Sequence, residues 1–459
     1  MFNNYMDKIF KAYDIRGIYP TEINEDIAYK SGMAFAVFIK EKYPEYNPII
    51  GVARDSRLSS EALFSACVKG ITDMGINVVD CGLTSTPTLY FCSWFYNFVG
   101  AIMITASHNP KEYNGFKFVG PDAVPIDLRK GLGKIRDMVI KNEFQLSEKK
   151  GTIIKKDPLS DYVDNVLKGF DNYNFSKFKI CVDTANAVPI IAARAVFSRM
   201  GINADYMFDE IDGNFPNHSA DPTIPKNLTA IKEKMKDGKY DLGIVFDGDG
   251  DRIIFLDESG NDIVPDLITA LISKIILKER PQDRILYDVS SSKSVAETIE
   301  RYGGIPVISI VGHSLIKSKM RAEGIYFGGE KSGHYYYQDN KYCEAPFFVL
   351  FSILKHMIAT GQNLSNLLKE FRTYHGSRPI AIKIDSNTDI KNIYSILEEK
   401  YKDGKIIKID GIRIDFADWW FLARKSNTEP LIRLTIESKN ENLIPEKVKE
   451  LEAIISSNQ

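Results

Sequence analysis

The stretch Asp241-Leu-Gly-Ile-Val-Phe-Asp-Gly-Asp-Gly-Asp-Arg252 decides how this chain reads. Its first half, Leu242 to Phe246, is a short apolar run of the kind that forms a strand buried on both faces of an α/β sheet. Its second half sets Asp247, Asp249 and Asp251 between glycines in one tight turn at the end of that strand. Carboxylates so concentrated call for a cation, and hard oxygen ligands select magnesium, calcium or manganese rather than zinc. An EF-hand loop is excluded: Glu258 falls where its last ligand would, but Arg252 occupies the sixth position, which needs glycine. The bland alternative, a solvated acidic turn, sits poorly with the apolar strand directly before it.

The same grammar recurs on either side. A strand, a polar loop, a helical stretch, a second strand introduced by Gly-Ile, and a third strand ending in a charged loop appear three times. The first copy runs from Pro48-Ile-Ile-Gly-Val-Ala-Arg54 through Met74-Gly-Ile-Asn-Val-Val79 to Ala101-Ile-Met-Ile-Thr-Ala-Ser-His-Asn-Pro110. The second runs from Lys179-Ile-Cys-Val-Asp183 through Met200-Gly-Ile-Asn-Ala-Asp205 to the aspartate turn. The third runs from Arg284-Ile-Leu-Tyr-Asp288 through Gly303-Gly-Ile-Pro-Val-Ile308 to Gly324-Ile-Tyr-Phe-Gly-Gly-Glu-Lys-Ser-Gly-His334. Alternating strands and helices predict βαβ units, hence three similar α/β domains, and ligands in such sheets gather at strand carboxyl ends. Beyond Tyr374 the pattern changes to Arg378-Pro-Ile-Ala-Ile-Lys-Ile384, a helix around 390–401, and strands at 420–423 and 431–436 beside Asp418-Trp-Trp420. A smaller C-terminal α+β domain fits. The expected boundaries are 1–150, 151–255, 256–372 and 373–459.

Composition agrees with a folded soluble protein of several domains. At 459 residues the chain exceeds what one core usually organises. Lys+Arg 59 against Asp+Glu 61 leaves a formal charge of -2, which indicates neither a nucleic-acid footprint nor a polybasic membrane surface. Cys67, Cys81, Cys92, Cys181 and Cys343 are scattered without C-x-x-C pairs, so neither a disulfide framework nor a zinc ribbon is expected. The opening MFNNYMDKIF lacks the apolar core of a signal peptide, and no stretch has the length of a membrane span. A cytoplasmic location without an obligate protein partner is the expectation.

The loops carry the chemistry. In the first copy Ser107 ends an apolar strand, flanked by His108 and followed by Asn114-Gly-Phe-Lys117, and is a candidate phosphoryl carrier. A hydrolase triad is not indicated, since neighbours on a strand point to opposite sides and no Gly-x-Ser-x-Gly elbow exists. In the third copy Glu330, Ser332 and His334 alternate so as to face one way, suited to sugar hydroxyls; a capped turn is the alternative. In the last domain Arg424, Ser426, Asn427, Thr428 and Arg433 offer guanidinium, hydroxyl and amide donors for a dianionic phosphate, against the alternative of a polar hairpin.

Taken in order, these loops resemble the alpha-D-phosphohexomutase family over essentially the whole chain. The resemblance implies four domains around a central cleft, with Ser107 as the phosphoserine and Asp247, Asp249 and Asp251 holding one magnesium ion together with a phosphoserine oxygen. It implies that Glu330 and Ser332 contact the sugar 3- and 4-hydroxyls while Arg424, Ser426, Asn427 and Thr428 hold the non-reacting phosphate. Lys11-Ala-Tyr-Asp-Ile-Arg-Gly17 is similar to the phosphomannomutase/phosphoglucomutase branch rather than to phosphoglucosamine mutases, making Tyr13 and Arg16 active-site candidates. Lys117, Arg252, Lys293 and His313 also resemble cleft residues of that branch. The chain departs from it at Lys331, where Met or, in the aminosugar branch, Gln is common, and at Lys425, where Pro is usual.

The implied reaction is transfer of phosphate between the 1- and 6-hydroxyls of glucose or mannose through a hexose 1,6-bisphosphate, with Lys117, Arg16 or His334 as the base. Glucosamine phosphate should react poorly, Lys331 repelling its amino group if the lysine points inward. One rival reading is a haloacid-dehalogenase-type phosphotransferase with Asp247 phosphorylated and Asp249 as acid/base. Others are a phosphoglucosamine mutase and a sugar-phosphate-binding protein without turnover.

Overall fold

A computed structural model describes residues 2–45, 48–377, 380–385, 388–426 and 430–458. The chain divides into two compact units, Met1–Ile263 with Ser332–Ser365, and Val264–Lys331 with Asn366–Gln459. The first three-strand copy becomes the parallel centre of a six-stranded sheet, where strand Ile49–Arg54 lies between Asn77–Leu83 and Gly100–Ile104. Strand Ile153–Lys155 extends one side in parallel. On the other side Tyr113–Val119 and then Ile15–Ile18 join antiparallel, so the sheet is mixed. The βαβ pattern predicts the parallel strands; Tyr113–Val119 returns after the loop 105–112 and Ile15–Ile18 comes from the N-terminal stretch, so neither has a crossover helix to read.

Helices Glu25–Lys42 and Ser60–Asp73 pack against one another over this sheet. Their close approach depends on two glycines: a Cβ on Gly32 would stand 2.2 Å from the Cys67 carbonyl oxygen, and one on Gly70 would stand 2.1 Å from that of Tyr29. Asn24 caps the first of these helices, its side chain accepting from the Ile27 amide.

The second copy makes a five-stranded sheet in the order Asp262–Ile263, Ile253–Leu256, Leu242–Phe246, Lys179–Asp183, Asn203–Met207. Leu242–Phe246 is wholly buried, as its apolar run predicts. The segment Ser332–Ser365 belongs to this unit. Its helix Pro346–Thr360 sets Phe347 against Tyr162, Phe197 and Phe246, so an apolar helix expected within 256–372 completes the core beside the aspartate turn.

In the other unit Ile305–Ser309, Arg284–Asp288 and Phe327–Gly329 run parallel as the third copy. The C-terminal part is an antiparallel sheet in the order His375–Gly376, Leu431–Ser438, Trp419–Lys425, Ile412–Asp415, Lys405–Ile407, with Ile380–Lys383 also on Leu431–Ser438. Helices Ile390–Lys400 and Leu443–Ser457 cover its apolar face, including Ile393, Leu397, Leu451 and Ile455. Three α/β assemblies and an α+β domain are thus present, and all five cysteines are free and buried. Among the described residues no helix is long and apolar enough to cross a membrane.

Candidate active site

The buried strand Gly100–Ile104 delivers the chain into a turn that places Ser107 in the left-handed region, at φ 51°. That conformation costs a non-glycine residue about 1–2 kcal/mol and is held by local bonds. The Ser107 amide donates to Thr105 Oγ1 at 2.8 Å and the Asn109 amide to the Ala106 carbonyl at 3.0 Å. Because Ser107 is on a turn, the strand alternation expected of Ser107 and His108 fails: Ser107 Oγ lies 3.3 Å from His108 Nδ1. Arg252, then burial and Arg16, hold the His108 pKa well below its ordinary value, so the imidazole is neutral.

The aspartates occupy the turn of a hairpin, strand Leu242–Phe246 pairing antiparallel with Ile253–Leu256. This is no helix–loop–helix site, and Glu258 instead accepts from the Ser365 amide and hydroxyl. Gly248 is required where the two loops meet, since a Cβ there would stand 2.4 Å from the Ser107 carbonyl oxygen. Across that contact Ser107 Oγ donates to Asp247 Oδ2 at 2.7 Å.

Asp247, Asp249 and Asp251 each offer an oxygen within 4.8 Å of the others, and they are 0, 0 and 2 % exposed. Lys117, from strand Tyr113–Val119, donates to Asp249 Oδ2 at 2.7 Å and Asp251 Oδ2 at 2.6 Å. Thr86 adds its hydroxyl to Asp249 Oδ2 at 2.5 Å and its amide to the Asp249 carbonyl at 2.9 Å. Asp249 Oδ1 is buried with no hydrogen-bond partner. An orphaned anionic oxygen among buried carboxylates fits a hard divalent cation. Electrostatics agree. Burial, Asp251 and Asp249 push Asp247 well above the usual carboxylate range. Burial alone would raise Asp251 too, but Lys117 and His334 hold it well below.

His334 joins this group, its Nε2 3.1 Å from Asp251 Oδ1 and its Nδ1 2.7 Å from Ser332 Oγ. Arg252 lies between them, Nε 3.4 Å from His334 Nε2 and 3.9 Å from Asp247 Oδ2. Arg16, on strand Ile15–Ile18, donates to Asn109 Oδ1 at 2.7 Å and Asp14 Oδ2 at 2.6 Å, and Tyr13 precedes it. Lys117 does not have the lowered proton affinity that a base requires. Burial would lower it, but Asp249 and Asp251 raise it well above a free lysine.

The other unit holds the remaining candidates, and its division from the first falls between Lys331 and Ser332. Glu330 is 3 % exposed after strand Phe327–Gly329. Lys331 does not carry a loose charge toward a sugar. Its amide donates to Asp288 Oδ2 at 2.8 Å, and its ammonium is 3.3 Å from Glu437 Oε1 and 3.6 Å from Asp266 Oδ2. Lys293 donates to the Phe416 carbonyl at 2.7 Å, and His313 begins helix His313–Glu323. Arg424 and Arg433 face each other across the hairpin, and Asp410 lies 2.8 Å from Arg424 Nε. Ser426 is buried, its amide donating to the Leu431 carbonyl. Asn427 and Thr428 lie outside the described residues.

Sequence reasoning missed Thr86 and Arg57. The signal for Thr86 was the run Thr84-Ser-Thr-Pro-Thr88 after a strand, which caps a helix beginning at the site.

Four patterns of one family match the chain in order. Those described as Phosphoglucomutase/phosphomannomutase alpha/beta/alpha domains I, II and III match residues 7–146, 160–260 and 264–374, and its C-terminal domain matches 380–454. A phosphomannomutase of Methanocaldococcus jannaschii is 37 % identical over 99 % of each chain. A phosphoglucomutase of Neisseria meningitidis is 32 % identical over 99 % of this chain and 98 % of its own. The crystal structure of a phosphoglucomutase/phosphomannomutase family protein from Burkholderia thailandensis superimposes with a TM-score of 0.88 at 29 % identity, covering 98 % of this chain and 97 % of that one. With the carboxylate turn, the serine loop and all four domains accounted for, the chain belongs to the phosphoglucomutase/phosphomannomutase family of phosphohexomutases.

Proposed function

We propose that this phosphohexomutase carries its phosphoryl group on Ser107 and exchanges it with the 1- and 6-hydroxyls of glucose and mannose phosphates. The observation that carries the reading is the contact of Ser107 Oγ with Asp247 Oδ2 at 2.7 Å, inside the buried carboxylate group. A hydroxyl placed against a cation site is where a phosphoryl group can be both held and released. The relatives named phosphomannomutase and phosphoglucomutase support the two sugars, and the four matched regions support four domains in this order, read in the sequence as 1–150, 151–255, 256–372 and 373–459. A cytoplasmic location accords with the composition.

Asp247, Asp249 and Asp251 would hold one magnesium ion, which when bound neutralises charge on the transferring group. In the first half-reaction a sugar hydroxyl attacks the phosphorus of phosphorylated Ser107. The P–Oγ bond breaks, the sugar hydroxyl gives up its proton, and a hexose 1,6-bisphosphate is formed. In the second, Ser107 Oγ attacks the other phosphate, and the departing sugar oxygen takes a proton. Arg252, His334 and Lys117 line the carboxylates and would fix their orientation, with Arg252 and Lys117 supplying positive charge. His334, in contact with Asp251 and Ser332, and Arg16, beside Asn109, remain candidates for the proton transfer. Tyr13 and His108 would complete the serine side. Glu330 and Ser332 would bind the sugar hydroxyls; Lys293, His313, Arg424, Ser426, Asn427, Thr428 and Arg433 would bind substrate and its distal phosphate. Arg424 and Arg433 stand at paired register positions of the hairpin that would carry the phosphate loop.

Ser107→Ala tests the reading. It should fold, retain no phosphate by intact-mass measurement, and lose at least roughly 1,000-fold in turnover. Near-normal turnover would refute the carrier. Release of the bound phosphate by hydroxylamine, which cleaves acyl phosphates and spares phosphoserine, would assign it to Asp247 instead.

A further inference from the structure

The loop that carries Ser107 is built around a side chain the proposed chemistry has not used. Arg57 is buried, its side chain fully enclosed, and all its guanidinium N–H donors are engaged. Nε donates to Asp55 Oδ2 at 3.1 Å. Nη1 donates to the carbonyls of Pro110 at 2.6 Å and Tyr113 at 2.9 Å. Nη2 donates to those of Ser107 and Asn109, both at 2.7 Å. The carbonyl oxygens of a seven-residue span therefore converge on one planar cation, and one of them belongs to Ser107 itself.

The cation is held from behind. Asp55 also accepts from the Arg57 amide at 3.0 Å and the Ser60 hydroxyl at 2.6 Å. Asn114 Nδ2 donates to Ser59 Oγ and Ser60 Oγ, tying this turn to the strand that bears Lys117. The Phe215 ring lies over the guanidinium at 5.3 Å.

We propose that Arg57 is a positioning residue for phosphoryl transfer, clamping the Ser107–Tyr113 carbonyls so that Ser107 keeps one left-handed geometry through both half-reactions. The inference rests on Ser107 being the carrier. In each half-reaction the charge on Ser107 Oγ changes by about two units as the phosphoryl group leaves or returns. A loop free to relax with that charge would present the oxygen at two different places. A rigid clamp removes the relaxation, and misplacement of about 1 Å can cost about 100-fold in rate. Only arginine does this, because lysine has three donors on one point and cannot reach a fork of carbonyls.

The test compares Arg57→Lys with the wild type and Ser107→Ala, using glucose 1-phosphate as probe with magnesium and glucose 1,6-bisphosphate. Arg57→Lys is expected to lower kcat by about 100-fold with KM within about twofold, since the substrate is gripped by other loops. Phosphorylation of Ser107 by glucose 1,6-bisphosphate, followed by intact mass, should slow by the same factor. Wild-type kcat in Arg57→Lys beside an inactive Ser107→Ala overturns this inference alone. A kcat loss that merely tracks the unfolded fraction also overturns it. An active Ser107→Ala overturns the carrier reading, and this inference with it. If Arg57→Lys does not fold, Asp55→Asn decides: it leaves the carbonyl bonds but loosens the guanidinium, and should lower kcat about tenfold at constant KM. Unchanged kcat there overturns the proposal.

Discussion

Replacing Lys331 with methionine should destabilise the protein more at alkaline pH than at acid pH. The ammonium lies 3.3 Å from Glu437 and 3.6 Å from Asp266, whose residues are 6 and 2 % exposed. Trp420 Nε1 donates to the second Glu437 oxygen at 3.0 Å, so that carboxylate cannot turn toward water. Removing one partner of a buried pair costs about 3–5 kcal/mol. The Lys331 side chain is 28 % exposed, and solvent screening reduces this to about 1–3 kcal/mol at pH 8.

Protonation limits the cost. Burial pushes the Asp266 carboxyl up to about 6, against the opposing pull of Lys331. A carboxyl raised above its unfolded value near 3.9 favours the native state at low pH and loses that contribution as pH rises through about 6. Without Lys331 the window moves higher. At pH 5 Asp266 is largely neutral in both proteins, only the contact with Glu437 is then lost, and the difference should be smaller than at pH 8. Thermal melts of the two proteins at pH 5 and pH 8 read this directly. A loss equal at both pH values, or none at pH 8, refutes the account. The same contacts revise the expected repulsion of aminosugars. An ammonium already balanced by carboxylates contributes little field at a substrate, so kcat/KM for glucosamine 6-phosphate relative to glucose 6-phosphate should change by less than about threefold in Lys331→Gln.

Excess chelator should abolish turnover and magnesium restore it, because the buried carboxylates otherwise repel each other and leave phosphate charge uncompensated; full activity in chelator would exclude the metal role. His218, 3.0 Å from the buried Asp183, gives a second pH dependence. Burial lowers its pKa but the Asp183 carboxylate outweighs this, leaving it raised. Its contribution to stability is therefore complete below the unfolded value near 6.5 and is lost as pH rises through the native value. His218→Gln should remove that slope from the melting curve, and an unchanged slope would refute the assignment.

The sequence by itself determined the strands and the chemistry of their ends. Apolar runs such as Leu242–Phe246 have no stable place outside a sheet buried on both faces, and the polar loops following them announce their residues directly. Leu242–Phe246, Arg284–Asp288 and Trp419–Lys425 could all be read this way, because the signal is local. Only the tertiary structure decided what meets across sequence distance. Ser107 reaches Asp247 because Gly248 lets two loops touch, which no periodicity encodes. Helix Pro346–Thr360 carries the same apolar pattern whichever core it fills, and packing against Tyr162, Phe197 and Phe246 settles the choice. Lys331 reads as a free cation until Glu437, more than a hundred residues later, comes beside it. Nothing in the sequence singles out Arg57; the carbonyls of Ser107, Asn109, Pro110 and Tyr113 fold around it. Backbone acceptors are present at every residue, so sequence names no partner for a guanidinium; the path of the chain does.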